Sequence, residues 1–223
     1  MATWLAHLRI AHKILPLLSG IDKKAFIVGN IAPDSGVSTG KGDFHPPVSF
    51  THFSKDGQRQ NIDSERFFNR YLITATSIEA KSFYLGYYVH LLADILWTNT
   101  VALPNVSAHH EKFEKDRCFV DVVKKDWYDQ DRSYLAAHPD CKEFSYLKTI
   151  TAFENDFIDF FTRGAFTTQI DKIINFYTCD NTPPEREYIF FTADEMDSFI
   201  ELAYNNIILK LKEKNLINFG GRI

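Results

Sequence analysis

Between residues 83 and 97, apolar and aromatic side chains fill nearly every position, with one glycine and no proline. A stretch that is hydrophobic around its whole circumference predicts a helix buried on all sides. Shorter amphipathic helices flank it. Leu5, Leu8, Ile10, Ile14, Leu15 and Leu18 recur at helical spacing over 3–19, and Ser19-Gly20 stops them. A second short helix over 22–31 is halted by Pro33, which leaves Asp34 at its exit. From 35 to 60 the residues turn to Gly, Ser, Lys, Asp and Pro, the signature of a long surface loop. Helical patterning resumes over 64–80. Pro104-Asn105 ends the long apolar run, and Ser107 stands where it can cap a helix starting at Ala108. Further helices are expected over 143–163 and 165–177, then a turn at Asn181-Thr182-Pro183-Pro184. The capping box Thr192-x-x-Glu195 opens a last helix that runs to about Lys214. No period-two alternation lasts long enough for a sheet, so the expected class is all-α, a single multi-helix domain over 1–223.

Composition narrows the partners. A 45% hydrophobic and 24% charged chain of 223 residues reads as a soluble globular protein with a substantial core. A formal net charge of −4 gives no basic field for nucleic acid, so no nucleic-acid partner is expected. No apolar run is long enough to span a bilayer, and the first residues lack the basic-then-apolar order of a signal peptide. Three cysteines, Cys118, Cys141 and Cys179, are odd in number and show no CxxC spacing. They suggest a reducing compartment and a cytoplasmic location.

The buried stretch carries two polar groups, His90 and Asp94, four apart and therefore on one helix face. A buried carboxylate needs a partner, and a divalent metal is one. An ordinary His90–Asp94 hydrogen bond within the core is the other. His52 lies in the loop between Phe50 and Phe53, which should pin its backbone to the core; His45, before Pro46-Pro47, reads as a surface residue. His7 and His12 are five apart on the first helix and should not share one ion. His110 and Glu114 repeat the four-residue spacing, here within a charged stretch that also reads as a solvated face. Trp127, Tyr128, Tyr134 and Phe144 are candidates for a substrate pocket or for core. No phosphate-binding glycine loop, GxSxG elbow or Cys/His nucleophile pair is present.

Taken in order, Ala6-His7-Leu8, Ile31-Ala32-Pro33-Asp34, Thr51-His52-Phe53, Phe83-Tyr84-Leu85-Gly86 with His90-x-x-x-Asp94, and His110-x-x-x-Glu114 resemble the zinc-dependent phospholipase C family. That family shares its all-helical fold with the single-strand-specific zinc nucleases. The resemblance covers residues 6–114 and implies a metal site buried between helices. By resemblance one ion is held by Asp34, His52, His90 and Asp94, a second shares Asp94 and takes His7, and a third is held by His110 and Glu114. Zinc is the implied cofactor, with two ions expected and the third less well furnished, and another divalent metal is the alternative. Asp34 matches the position assigned to a water-orienting catalytic base.

Two departures weaken the outer ions. Secreted members begin at a Trp whose amino nitrogen and carbonyl oxygen chelate a metal, whereas Trp4 is internal here. They also carry a His ten residues after the helix His, where this chain has Thr100; His109 is the nearest replacement. The implied function is metal-activated hydrolysis of a phosphate ester, with a small phosphate ester or a phospholipid headgroup as partner. The alternatives are an inactive metal-binding homologue or binding module, and a nucleotide or phosphomonoester hydrolase using the same metals.

Overall fold

A computed structural model describes residues 1–40, 43–56, 59–116, 118–179 and 186–217. Its centre is α5 (Ile78–Trp97), opened by Ser77, whose side chain accepts from the Ala80 amide. Phe83, Tyr87, Tyr88, Val89, Leu91 and Trp97 are buried on several sides of it, as all-round hydrophobicity requires. Before it come α1 (Trp4–Ile14) and α2 (Lys23–Ile31), capped by Thr3 and Asp22 respectively. The loop that follows contains a two-residue hairpin, β1 (Val37–Ser38) against β2 (Phe44–His45), antiparallel with Val37 opposite His45. It also contains a single helical turn, α3 (Val48–Thr51). These are the only strands among the described residues, and the class is all-α as expected.

The closest helix contact is between α2 and α5, and two glycines permit it. A Cβ on Gly29 would stand 2.0 Å from the Phe83 carbonyl oxygen, and one on Gly86 would stand 2.0 Å from that of Phe26. Each glycine therefore faces the other helix's backbone. The reciprocal pair lets the two rods approach within the radius of a side chain.

Several boundaries differ from the sequence expectation, for local reasons. The segment expected over 64–80 is α4 (Ser64–Phe67), widened into a looser turn through Leu72, then broken before Ser77. Thr74 closes it by hydrogen-bonding the Arg70 and Tyr71 carbonyls. After Trp97 the helix widens again over Thr98–Ala102 and continues as α6 (Leu103–Ala108). Pro104 therefore sits directly after the widened turn, at the start of α6, and Ser107 is internal to that helix. The next helix, α7 (His110–Lys115), starts after a break at His109. The span 119–137, where no helix was expected, forms α8 (Phe119–Ala137). The helix expected over 143–163 stops early as α9 (Lys142–Lys148). Beyond it, Asn155 donates to the Ile158 and Phe161 carbonyls and accepts from the Phe157 and Ile158 amides, which fixes a non-helical turn. Then come α10 (Ala165–Thr178) and α11 (Ala193–Glu213), the latter with the expected capping box at Thr192 and Glu195. The turn expected at 181–184 lies outside the described residues.

The acidic residues of α8 explain why it escapes a reading by pattern. Asp126, Asp129 and Asp131 are buried, each satisfied by a distant partner. Arg186 binds Asp126 and Asp129 at 2.5 and 2.6 Å, and the Phe190 amide donates to Asp126. Asp131 accepts from the Thr3 hydroxyl at 2.9 Å and from the Tyr177 hydroxyl at 2.5 Å. The same Tyr177 oxygen accepts the Leu5 amide at 3.3 Å. This network moors the start of α1 to α8 and α10.

Burial pushes the Asp131 carboxyl up to about 7 from an ordinary value of 3.8, only partly opposed by the Tyr177 and Thr3 hydrogen bonds. Between these two values the folded chain holds a proton that the unfolded chain has lost. Stability therefore falls as pH rises through this window, by about 4 kcal/mol in all. Asp131→Asn, which resembles the neutral acid in shape, is expected to flatten the slope. Thermal melts of both proteins from pH 4.5 to 7.5 would show it, and parallel pH profiles would contradict it.

The three cysteines are free, with Cys141 buried and the other two exposed. No helix among the described residues is long and apolar enough to cross a membrane.

Candidate metal centre

Five of the seven candidate ligands converge. Histidines 7 and 90 come from α1 and α5, Asp94 from the next turn of α5, Asp34 from the turn after α2, and His52 from the residue after α3. The Pro33 stop works as the sequence suggests: Ala32–Asp34 tightens into a single 3-10 turn that delivers Asp34. At His52 one flanking aromatic does the pinning. Phe53 is buried against Phe67, Tyr71 and Tyr87, and holds its own backbone at φ 55°, while Phe50 is 63% exposed. The Tyr87 hydroxyl adds a short hydrogen bond to the Thr51 carbonyl and so fixes the residue before His52.

Four of the six separations among the donors of Asp34, His52, His90 and Asp94 match the edges of a tetrahedral site. His52 Nε2 lies 3.4 Å from His90 Nε2, 3.4 Å from Asp94 Oδ2 and 3.5 Å from Asp34 Oδ1. His90 Nε2 lies 3.6 Å from Asp94 Oδ2. A tetrahedron with zinc–ligand bonds of roughly 2.0–2.2 Å has edges of about 3.3–3.6 Å. His7 stands beside this set, its ring stacked on that of His90 at 3.8 Å and its Nε2 3.3 Å from Asp94 Oδ1. Two groups of mutually close donors result: His7, His90 and Asp94, and Asp34, His52 and His90.

What the outer atoms bind is as informative. His90 Nδ1 meets the Asn30 carbonyl at 2.8 Å, so it must carry the proton, leaving the Nε2 lone pair toward the centre. His52 Nδ1 meets the Thr51 hydroxyl at 2.8 Å. Asp34 Oδ2 accepts from the Trp4 indole at 3.0 Å, and Asp94 Oδ1 from the Ala2 amide at 2.9 Å. The inner atoms Asp34 Oδ1 and Asp94 Oδ2 make no hydrogen bond, and neither does either ring nitrogen of His7. Buried polar atoms left without partners and aimed at one point are what a cation would satisfy. The donor set fits zinc.

The electrostatics favour positive charge at that point. Burial opposes ionisation of Asp34, but the facing His52 and His90 rings hold its carboxyl down at about 2. Burial likewise works against the Asp94 charge, and the chain's amino terminus, His90, His52 and His7 together hold it well below the usual carboxylate range. Burial disfavours a charged His52, yet the facing carboxylates of Asp34 and Asp94 raise its pKa. His7 is pushed down to about 4 by burial and by His90, and is neutral at physiological pH, as a ligand must be.

A family model, zinc dependent phospholipase C, matches residues 5–211 of the chain. The chain belongs to the zinc-dependent phospholipase C family. No curated protein and no solved structure matches it. Membership accounts for the all-helical fold and for a buried His/Asp cluster suited to zinc, and it makes the chain a phospholipase C-like hydrolase by family.

The family's outer ligands are not assembled in the same way. His110 and Glu114 pair with each other at 3.4 Å on the exposed face of α7, with side chains 65% and 68% exposed. Neither belongs to a group of three close donors among the described residues. The four-residue spacing recurs, but Glu111, Lys112 and Lys115 around it make a solvated face instead of a buried one. His109 is spent on an edge contact with Phe190, and Thr100 bonds back to the Leu96 carbonyl of its own helix. His12 packs against Tyr146, away from His7's partners. The Trp4 indole donates to Asp34 and orients it. That role, like the Asn30 carbonyl behind His90, could have been found only from its position beside the ligands in the fold.

Proposed function

We propose that this chain is a phosphoric ester hydrolase, a phospholipase C-like phosphodiesterase in which zinc at Asp34, His52, His90 and Asp94 activates water. The observation that carries this reading is the convergence of four donors on His52 and Asp94 at separations of 3.4–3.6 Å, with the inner oxygens of Asp34 and Asp94 unsatisfied. His7 and the second carboxylate oxygen of Asp94 offer a partial set for another ion, and His110 with Glu114 the poorest, so fewer than three ions are held firmly. One domain spans the chain, and its second half buttresses the centre.

When bound, zinc supplies Lewis acidity toward the phosphoryl oxygen and lowers the pKa of a water toward about 7. The chain's residues do the rest. Asp34 stays ionised throughout the physiological range because its carboxyl is held so low, so it is a weak base and acts by orienting the attacking water. Trp4 fixes the outer oxygen of Asp34, which aims the inner one. Asn30 and Thr51 fix the ring planes of His90 and His52. A cavity of about 260 Å³ opens beside Asp34 and His52 and gives the ester access to them.

Protein purified without chelator is expected to carry at least one zinc per chain by elemental analysis. It should hydrolyse bis(p-nitrophenyl) phosphate, lose that activity to a chelator and regain it with zinc. Metal-free protein from such a preparation would refute the metal assignment. Bound zinc without turnover of any diester, nucleotide or monoester would reduce the chain to a metal-binding homologue.

A further inference from the structure

The cavity beside the metal centre is lined on one side by Trp4, Asp34 and His52, and on the other by Trp127, Tyr128 and two lysines, Lys124 and Lys172. Among the described residues, Asp34 is the one acidic side chain in that lining. One of its oxygens is held by the Trp4 indole and the other faces His52 across 3.5 Å, so it belongs to the centre and not to the outer wall. Among the described residues, the outer wall carries two ammonium groups, one from α8 and one from α10. Lys124, which lines the cavity, lies 3.8 Å from Asp121 one turn earlier on its own helix, a loose and partly exposed ion pair of small strength.

Four aromatic residues in the lining could suggest a cage for a quaternary ammonium group. The geometry argues against one. Lys172 Nζ already sits over the Trp4 ring, 5.3 Å from its centroid, in the place an alkylammonium head would take. Tyr128 is turned edge-to-face against Phe176, and Trp127, itself 5% exposed, against Trp97. A cationic headgroup entering here would meet two like charges, whereas an anion would relieve both.

Resting on the phosphodiesterase reading above, we propose that the group esterified to the attacked phosphate is itself anionic. Its second phosphate or carboxylate is held between Lys124 and Lys172, and choline-like heads are disfavoured. Trp127, Tyr128 and Phe44 cover the apolar frame of that group. Two partly exposed ammonium contacts, together with the repulsion a cation would suffer, set a preference of about tenfold or more.

Trp4 and Trp127 line the cavity, so their fluorescence reports its occupation without turnover. Binding of phosphocholine, glycerol 3-phosphate, 3-phosphoglycerate and propane-1,3-diol bisphosphate is measured on the zinc-loaded protein. The two doubly anionic probes are expected to bind at least about tenfold tighter than phosphocholine, with glycerol 3-phosphate between them; comparing the two separates a carboxylate preference from a phosphate preference. In a Lys124→Glu/Lys172→Glu variant with unchanged zinc content, the order should invert. If that variant does not fold, Lys124→Gln/Lys172→Gln should level the series. Wild-type protein that binds phosphocholine as tightly as the anions overturns the proposal, as does an unaltered order in either folded variant. Hydrolysis is followed separately: anion-selective binding without turnover of any diester sinks the phosphodiesterase reading alone, and turnover without selectivity sinks this inference alone.

Discussion

Asp94→Asn is expected to strip the bound zinc and abolish phosphoester hydrolysis together. Asp94 is the residue on which the centre's contacts converge: His7 faces one of its oxygens, and His52 and His90 face the other. The amide keeps the volume and can still accept from the Ala2 backbone at Oδ1. It then presents an N–H₂ where Oδ2 met the two Nε2 atoms, and it removes a negative charge that offsets the dication. Changes one shell further out cost metal sites about 10–100-fold in affinity, so loss of this inner group should cost more than about a hundredfold. Zinc titration with phosphodiesterase assays on the same preparation measures both effects. His110→Ala is the control and should leave zinc content and most activity in place, because its side chain is exposed and paired only with Glu114. Full zinc and full turnover in Asp94→Asn would return this carboxylate to the role of a buried partner for His90.

The second large effect is expected far from any ligand atom. Gly86→Ala places a methyl group 2.0 Å from the Phe26 carbonyl oxygen and 2.8 Å from the Asn30 amide nitrogen. Both are main-chain atoms of a packed helix and cannot swing aside, so α2 and α5 must separate. Overpacking in a core costs typically 1–3 kcal/mol, and a backbone collision belongs at or above the top of that range. For a chain of this size a loss of about 3 kcal/mol lowers the melting temperature by roughly 6–12 °C. The same displacement pulls the Asn30 carbonyl away from His90 Nδ1, so zinc affinity should fall along with stability. Gly164→Ala provides the comparison: a Cβ there meets nothing within 4 Å, and the melt should hardly move. Equal melting temperatures for Gly86→Ala and wild type would mean that the helices are not packed through this glycine.

Whether a feature could be read from the sequence depended on whether its cause was local. The circumference of 83–97 announces a buried helix because burial on every side leaves no polar face. The Pro33 stop and the Thr192 capping box are equally short-range signals, and both elements form as expected. Helix α8 was not anticipated, because Asp126, Asp129 and Asp131 look like solvated residues until Arg186, Tyr177 and Thr3 arrive from 46 to 128 positions away. The pair His110 and Glu114 shows the converse. It shares its spacing with His90 and Asp94, and spacing reports a common face without reporting what covers that face. The neighbours of each pair carry the difference: Leu91, Leu92 and Ala93 between one, Glu111, Lys112 and Phe113 between the other.

The Thr3–Asp131–Tyr177 mooring also bears on how the protein is made. The candidate ligands His7 through Asp94 leave the ribosome first, in the leading half of the chain. The start of α1, which presents His7, is tied down only when Asp131 and then Tyr177 have emerged. Trp4, which aims Asp34, packs edge-on against Phe176 and Tyr177 and waits for the same segment. All five converging ligands are thus synthesised well before the segment that moors His7 and aims Asp34.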